Sequence, residues 1–467
     1  MNKTVLNDSI HFIKSWLELR YQQEEIPGFV VAISYEGKLL MNQAFGFANL
    51  EENIKLTSDN IFRIASHSKT FTSTALMQLQ EKGELRIDDY IVDYLPWLSE
   101  HKDKRWQKVT IRQLMSHGAG VIRDGLDSDY WQLDKSFPNK EVLKNELLRS
   151  DLIIDNNTKL KYSNFGYSLL GMLVEKITGK SYNNYVDANI VTVLGLKSTG
   201  PEYKSIIKDN LAIGYSRRNV EKNRLPIANV DTKSMSSATG FYSTAKDLCT
   251  YFDAHFVGSG KLLDDESKKE MQKVQWHAET PGQSNHEDYG LGFEIEYLNK
   301  RKTISHGGGF PGYITKSIAD PKDRLIVVVL TNCLGGPAVT IARSIFSIID
   351  YYQDSVTKVK PKQDLSRFEG RYMNLWATLE IIDLGEKVVA FSPDNWRPLM
   401  EPEELEYVND TTLKVVKTGS FDSEGELVQF KFKENKVESV NYNGSTMLPE
   451  KAWIEKQKQR SVIDLPI

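Results

Sequence analysis

The sequence predicts an α+β chain: an antiparallel sheet flanked by helices and interrupted by an all-helical region, followed by a small C-terminal β-barrel or β-sheet domain. Three observations predict it. Strand-like runs at 29–33 and 39–45 find a matching set only at 303–331, helical periodicity fills the sequence between them, and period-two alternation takes over beyond Phe368. At 467 residues the chain is long enough for two domains, which the pattern divides as 1–357 and 365–467.

Near the start, Ile10, Ile13, Trp16 and Leu17 recur at helical spacing among charges, giving an amphipathic helix rather than the apolar core of an export signal. A cytosolic protein is therefore expected. Glu36-Gly37 turns the first hairpin. Helices are expected over 70–82 and 167–177, strands over 303–305, 313–319 and 325–331, and a further helix over 339–352. The last two strands are joined by Asp320-Pro321-Lys322-Asp323. The polar, proline-marked stretch 356–363 reads as a linker. Beyond it Val428, Phe430 and Phe432 alternate with polar residues, Glu434-Asn435 turns the chain, and 437–442 returns.

Composition narrows the function. A net charge of −4, from 59 basic and 63 acidic residues with no long single-sign run, argues against nucleic acid or an anionic membrane as partner. A small molecule or short peptide fits better. The longest apolar run, 325–330, has the length of a strand and not of a membrane span. Cys249 and Cys333 form no disulfide framework and read as reduced core thiols. With no H-E-x-x-H or close histidine cluster, neither a metal nor another cofactor is expected.

Three short motifs carry chemistry: Ser66-His67-Ser68-Lys69, Tyr162-Ser163-Asn164 and His306-Gly307-Gly308-Gly309. S-x-x-K alone is weak, since Ser99, Ser205, Ser243 and Ser355 begin it too. Ser66 differs by opening a helical pattern, which sets its hydroxyl at the positive end of a helix dipole and Lys69 one turn on. An N-cap serine beside a surface lysine reads the same residues without chemistry. Tyr162 stands in a polar turn at a helix start, where its oxygen can face a cleft and Asn164 can offer an amide to a substrate carbonyl; a buried aromatic is the alternative. The glycines after His306 leave backbone N–H groups open to a ligand, or make a flexible turn with an incidental histidine. Lys417-Thr418-Gly419 lies in the C-terminal domain and reads as a decoy.

These motifs in this order resemble the serine β-lactamase-like superfamily, in the branch of class C β-lactamases, penicillin-binding proteins, esterases and D-amino-acid peptidases. Segments 82–90 with Tyr94-Leu95-Pro96, 110–120 ending His117-Gly118-Ala119-Gly120, and 240–248 are similar to family segments as well. The likeness covers about 25–350. It implies a β-lactamase/transpeptidase-like fold with a lipocalin-like C-terminal barrel, an acyl-enzyme on Ser66, and a base role shared by Lys69 and Tyr162. Both have ordinary pKa values of about 10, so one must be depressed. Asn164, His306, Gly308 and Gly309 would line the substrate, with the N–H groups of Ser66 and Gly309 binding the oxyanion.

His306 departs from the lysine usual in penicillin-binding relatives. A histidine of pKa about 6.5 is mostly neutral at pH 7 and should hold a substrate carboxylate weakly, so weak or absent β-lactam turnover is expected. The resemblance implies a hydrolase of esters, amides or D-residue peptides. A catalytically silent penicillin-binding or scaffold protein of the same fold is the alternative, and since some relatives assemble into larger structures, a homo-oligomer stays open.

Overall fold

The structure, a computed structural model, describes residues 1–277, 287–355, 364–385, 387–419 and 423–459. The stretch 356–363, expected as a linker, lies outside them. Two compact units result, Glu25–Arg343 and a second made of Met1–Glu24 with Ser344–Ile467.

The larger unit is built on an antiparallel sheet of eight strands: β1 (Gly28–Tyr35), β2 (Lys38–Asn49), β3 (Ile54–Lys55), β4 (Glu287–Tyr289), β5 (Glu294–Leu298), β6 (Arg301–Phe310), β7 (Tyr313–Asp320) and β8 (Leu325–Thr331). Their order is β3-β2-β1-β8-β7-β6-β5-β4, so both ends of the unit's sequence meet where β1 pairs with β8, Ala32 opposite Val328. Every residue of β1 and β8 is buried, because the central strands are covered on both faces. This explains why their sequences are continuous apolar runs rather than alternating ones.

The helix Ser68–Glu81 runs through the middle of this unit, buried from Ser68 to Leu79. A helix buried all round has no need of an apolar stripe. Its threonines remain tolerable because their hydroxyls turn back on the helix, Thr72 donating to Ser68 O at 3.1 Å and Thr74 to Thr70 O at 2.9 Å. Phe71 stacks between Phe241 and Tyr251 at 4.3 and 3.8 Å. Cys249 and Cys333 are buried free thiols, the latter pushed up to about 11 by burial.

In the smaller unit eight strands close into a barrel: β9 (Gly370–Met373), β10 (Thr378–Asp383), β11 (Val388–Phe391), β12 (Glu403–Asn409), β13 (Thr412–Lys417), β14 (Leu427–Lys433), β15 (Lys436–Tyr442) and β16 (Ser445–Pro449). Phe368, Ile381, Leu405 and Val440 are among the side chains filling its interior. The first helix, Lys3–Gln23, belongs to this unit. It is longer than its apolar spacing suggested, because Asn2 caps it by accepting from the N–H groups of Thr4 and Val5. Phe12 meets Phe391 edge-on at 5.6 Å, and Trp16 meets Trp396 at 5.8 Å. Among the described residues no helix is long and apolar enough to cross a membrane.

Candidate active site

Ser66 sits in a single helical turn, Ala65–His67, that feeds directly into the helix Ser68–Glu81. Ala65 is held at φ 46°, a left-handed conformation unusual for a residue with a Cβ. The turn is fixed by the Ser68 hydroxyl, which donates to Ala65 O at 2.6 Å and accepts from the Phe241 N–H at 3.1 Å. Between Ile61 and Leu79 Ser66 alone is not buried. The chain thus presents one hydroxyl to solvent from a fully packed segment.

Lys69 is fully buried, and its amine has three neighbours: Ser66 Oγ at 3.1 Å, Asn164 Oδ1 at 2.7 Å and Ala238 O at 2.8 Å. The Asn164 orientation follows from its other atom, since Nδ2 donates to the Asp124 carboxylate at 2.7 Å and a carboxylate only accepts. Asn164 Oδ1 and Ala238 O are acceptors too, so they take two N–H bonds of the amine whatever its charge. The third position faces Ser66 Oγ. As an ammonium Lys69 donates there; as a neutral amine it turns its lone pair to the serine hydroxyl. Burial brings the lysine pKa down to about 7, with Arg123 adding to the fall and Asp124 and Glu294 opposing it.

Burial drives the Tyr162 phenol well above the usual range, with neighbouring Ser66 opposing the rise. Its ring lies 4.8 Å from the Lys69 amine, 5.4 Å from the Arg123 guanidinium and 4.2 Å from the His117 ring. His117 is buried with Nδ1 accepting from the Ser163 N–H at 3.2 Å. Ser163 also caps the helix Asn164–Thr178 by accepting from the Gly166 N–H at 2.8 Å, which fixes Tyr162 and Asn164 on either side of it.

The glycines after His306 form the end of β6 rather than a turn. The ladder to β5 stops at Ser305, so the β6 edge beyond it has no strand beside it among the described residues. Gly307 N–H points to that edge, 3.4 Å from Glu294 Oε1. In an antiparallel strand alternate residues point their N–H groups the same way, so Gly309, which is exposed, also aims at the open edge. Gly308 matters for packing instead. A Cβ there would lie 2.2 Å from Ile64 O, so only glycine lets β6 approach the turn that carries Ser66.

The structure thus brings Ser66, Lys69, Tyr162 and Asn164 together, with Gly308 and Gly309 on the adjoining strand. His306, expected against the substrate, is placed differently. It is 1 % exposed, and both ring nitrogens are engaged within the protein. Gly307 O only accepts, so Nδ1 carries the proton at 2.7 Å and Nε2 accepts from the Tyr289 hydroxyl at 3.2 Å. Burial lowers its pKa to about 4, keeping it neutral at pH 7.

Asp124, Ala238, Tyr289 and Arg63 are the parts that sequence reasoning missed. Arg63, wholly buried, donates to Val230 O at 2.8 Å and Gly240 O at 3.3 Å, pairs with Glu202 at 3.3 Å, and lies 4.1 Å from the Phe310 ring. It ties together the segments that carry Ser66, Ala238 and Gly309. Asp124 follows the family-like segment 110–120 by four residues, a proximity that could have drawn attention to it. Among the described residues no group of three or more His, Cys, Asp or Glu side chains is placed to hold a metal ion.

Comparison with known proteins finds similar chains and folds. Protein flp of Staphylococcus aureus (strain MW2) is 24% identical over 335 residues, covering 70% of this chain and 64% of that protein. The chain therefore spans just under two thirds of the length of the first curated relatives that it matches. Penicillin-binding protein 4* of Bacillus subtilis (strain 168) is 27% identical over 335 residues, covering 68% of this chain and 71% of that one. Among solved structures, the octameric penicillin-binding protein homologue from Pyrococcus abyssi superposes with a TM-score of 0.65 at 22% identity, covering 94% of this chain and 99% of the other. The Beta-lactamase family profile matches residues 13–348, and the chain belongs to that family.

Proposed function

We propose that this chain is a serine hydrolase that forms an acyl-enzyme on Ser66 with esters, amides or short D-residue peptides, and turns over β-lactams weakly or not at all. The observation that carries the reading is the Lys69 amine, held by two obligate acceptors so that its third position faces Ser66 Oγ. With its pKa near 7, a substantial fraction is neutral at neutral pH and can take the serine proton.

The step balances simply. Ser66 Oγ bonds to the substrate carbonyl carbon as its proton passes to Lys69, and the carbonyl oxygen becomes an oxyanion at the N–H groups of Ser66 and Gly309. The C–O or C–N bond to the leaving group then breaks. Tyr162, whose phenol burial keeps protonated, delivers a proton to that group and is resupplied from the Lys69 ammonium. Water releases the acyl group by the reverse route. Asn164 spends one Nδ2 hydrogen on Asp124, leaving the other to orient an acyl-side amide. The engaged, neutral His306 offers no charge to a substrate carboxylate, which supports poor β-lactam turnover.

Intact-mass measurement after exposure to an activated ester, an organophosphonate and a penicillin tests this. The ester and phosphonate should leave adducts on the wild type and none on Ser66→Ala, with slower labelling by penicillin. No adduct from any probe would favour a catalytically silent scaffold instead. A self-assembled form, as in the octameric Pyrococcus abyssi homologue, is tested by light scattering on the purified chain.

A further inference from the structure

We propose that one end of the C-terminal barrel is a binding site for an apolar molecule bearing a primary ammonium group. The barrel is not filled along its whole length: a cavity of about 630 Å³ opens at the end where β12 begins. Eight strands enclose just enough room for side chains or one small ligand, and this volume lies in the range of small-molecule sites.

Strand alternation decides what faces the cavity. Leu405 is buried in the barrel interior, so Glu403, two residues earlier on β12, points inward as well, whereas Glu404 points out. The outward carboxylate is neutralised by Lys387 and Lys417 at 3.2 and 3.1 Å. The inward one is not. Glu403 accepts from the hydroxyls of Tyr442 at 2.5 Å, Thr418 at 3.3 Å and Ser423, and no cation pairs with it among the described residues. Three hydroxyls fix its position without cancelling its charge. Thr418 and Gly419 of the Lys417-Thr418-Gly419 sequence thus line this cavity, while Lys417 pairs with Glu404 on the outside.

Around the carboxylate the walls are mostly apolar, with Leu379, Ala390, Met400 and Met447 in the lining. At the mouth Leu375, Trp376 and Met400 are 68, 90 and 65 % exposed. Leu375 and Trp376 lie between the lining residues Asn374 and Ala377. Arg397, the one basic residue of the lining, is exposed and forms no ion pair among the described residues. A negative charge held inside a partly apolar hollow gains most from a compact cation that donates hydrogen bonds, and the walls and rim suit a hydrocarbon body. No part of this depends on the chemistry at Ser66.

The test is calorimetric titration of the full chain with octylammonium, octanol and octanoate, which share a tail and differ in the head. Octylammonium should bind at least about tenfold more tightly than octanol, and octanoate more weakly still. Glu403→Gln should erase the preference for ammonium over alcohol, Glu403→Asp should retain it, and Glu404→Gln should leave it unchanged. Nuclear Overhauser contacts from the octyl chain to the Met447 methyl should place the ligand. Equal binding of the three probes, a preference that survives Glu403→Gln, contacts elsewhere, or no binding would each overturn the proposal. If Glu403→Gln does not fold, the head-group series on the wild type and on Glu403→Asp still decides it.

Discussion

At Lys69 two effects oppose each other: burial favours the neutral amine, and the Asp124 carboxylate beyond Asn164 favours the ammonium. A base must be uncharged to accept a proton, so kcat/KM for an ester should rise as pH increases through about 7. Asp124→Asn removes the opposing charge, so the lysine pKa falls further and this acidic limb should move to lower pH. A pH–rate profile of the two proteins checks it; an unmoved or upward-shifted limb would mean that Lys69 is not the group being titrated. The residue-level site was only half legible in the sequence. Ser66, Lys69, Tyr162 and Asn164 are legible through the family resemblance and the order of the motifs, since each motif alone also admits a reading without chemistry. The Ala238 carbonyl is a backbone atom with no residue-type signature, and Asp124 and Arg63 act across folds of the chain that periodicity does not encode. His306 was visible as a substitution, but its burial depends on Tyr289 approaching from another strand.

On the scale of elements, β6 and the turn before the Ser68–Glu81 helix are set against each other by one missing side chain. Gly308→Ala should push Ile64 and the Ser66 turn away from the strand, costing about 1–3 kcal/mol and on the order of a hundredfold in ester turnover. Gly307→Ala, whose Cβ would meet nothing closer than 3.6 Å, should be tolerated in stability. Denaturant unfolding and ester kinetics on both variants separate the outcomes; equal effects would refute the close-approach argument. Elements with a strong internal pattern were readable, as with 325–331, which matches β8 residue for residue. Element ends were less so. β6 runs from Arg301 to Phe310 where alternation suggested only 303–305, because glycines carry no strand signal and pairing with β7 overrides their propensity.

Across the whole molecule, the least readable feature was the membership of the first helix in the barrel unit, since nothing local in 1–24 names a partner more than three hundred residues away. Trp16→Ala should destabilise that unit by about 3–5 kcal/mol through loss of a fully buried ring and its contact with Trp396. Amide exchange should show barrel strands opening more readily while Ser66 labelling proceeds at its former rate; slower labelling would show that the effect is not confined to the unit. The same division has a consequence for biosynthesis. The helix leaves the ribosome before its aromatic partners, with all of 25–343 made between them. At roughly 5–20 residues per second the wait is on the order of tens of seconds. Through that interval Phe12, Trp16 and Leu17 form an uncovered apolar stripe, the kind of surface that holding chaperones grip. The earlier-made segment of the unit is therefore the vulnerable one, and only the later-made segment relieves it.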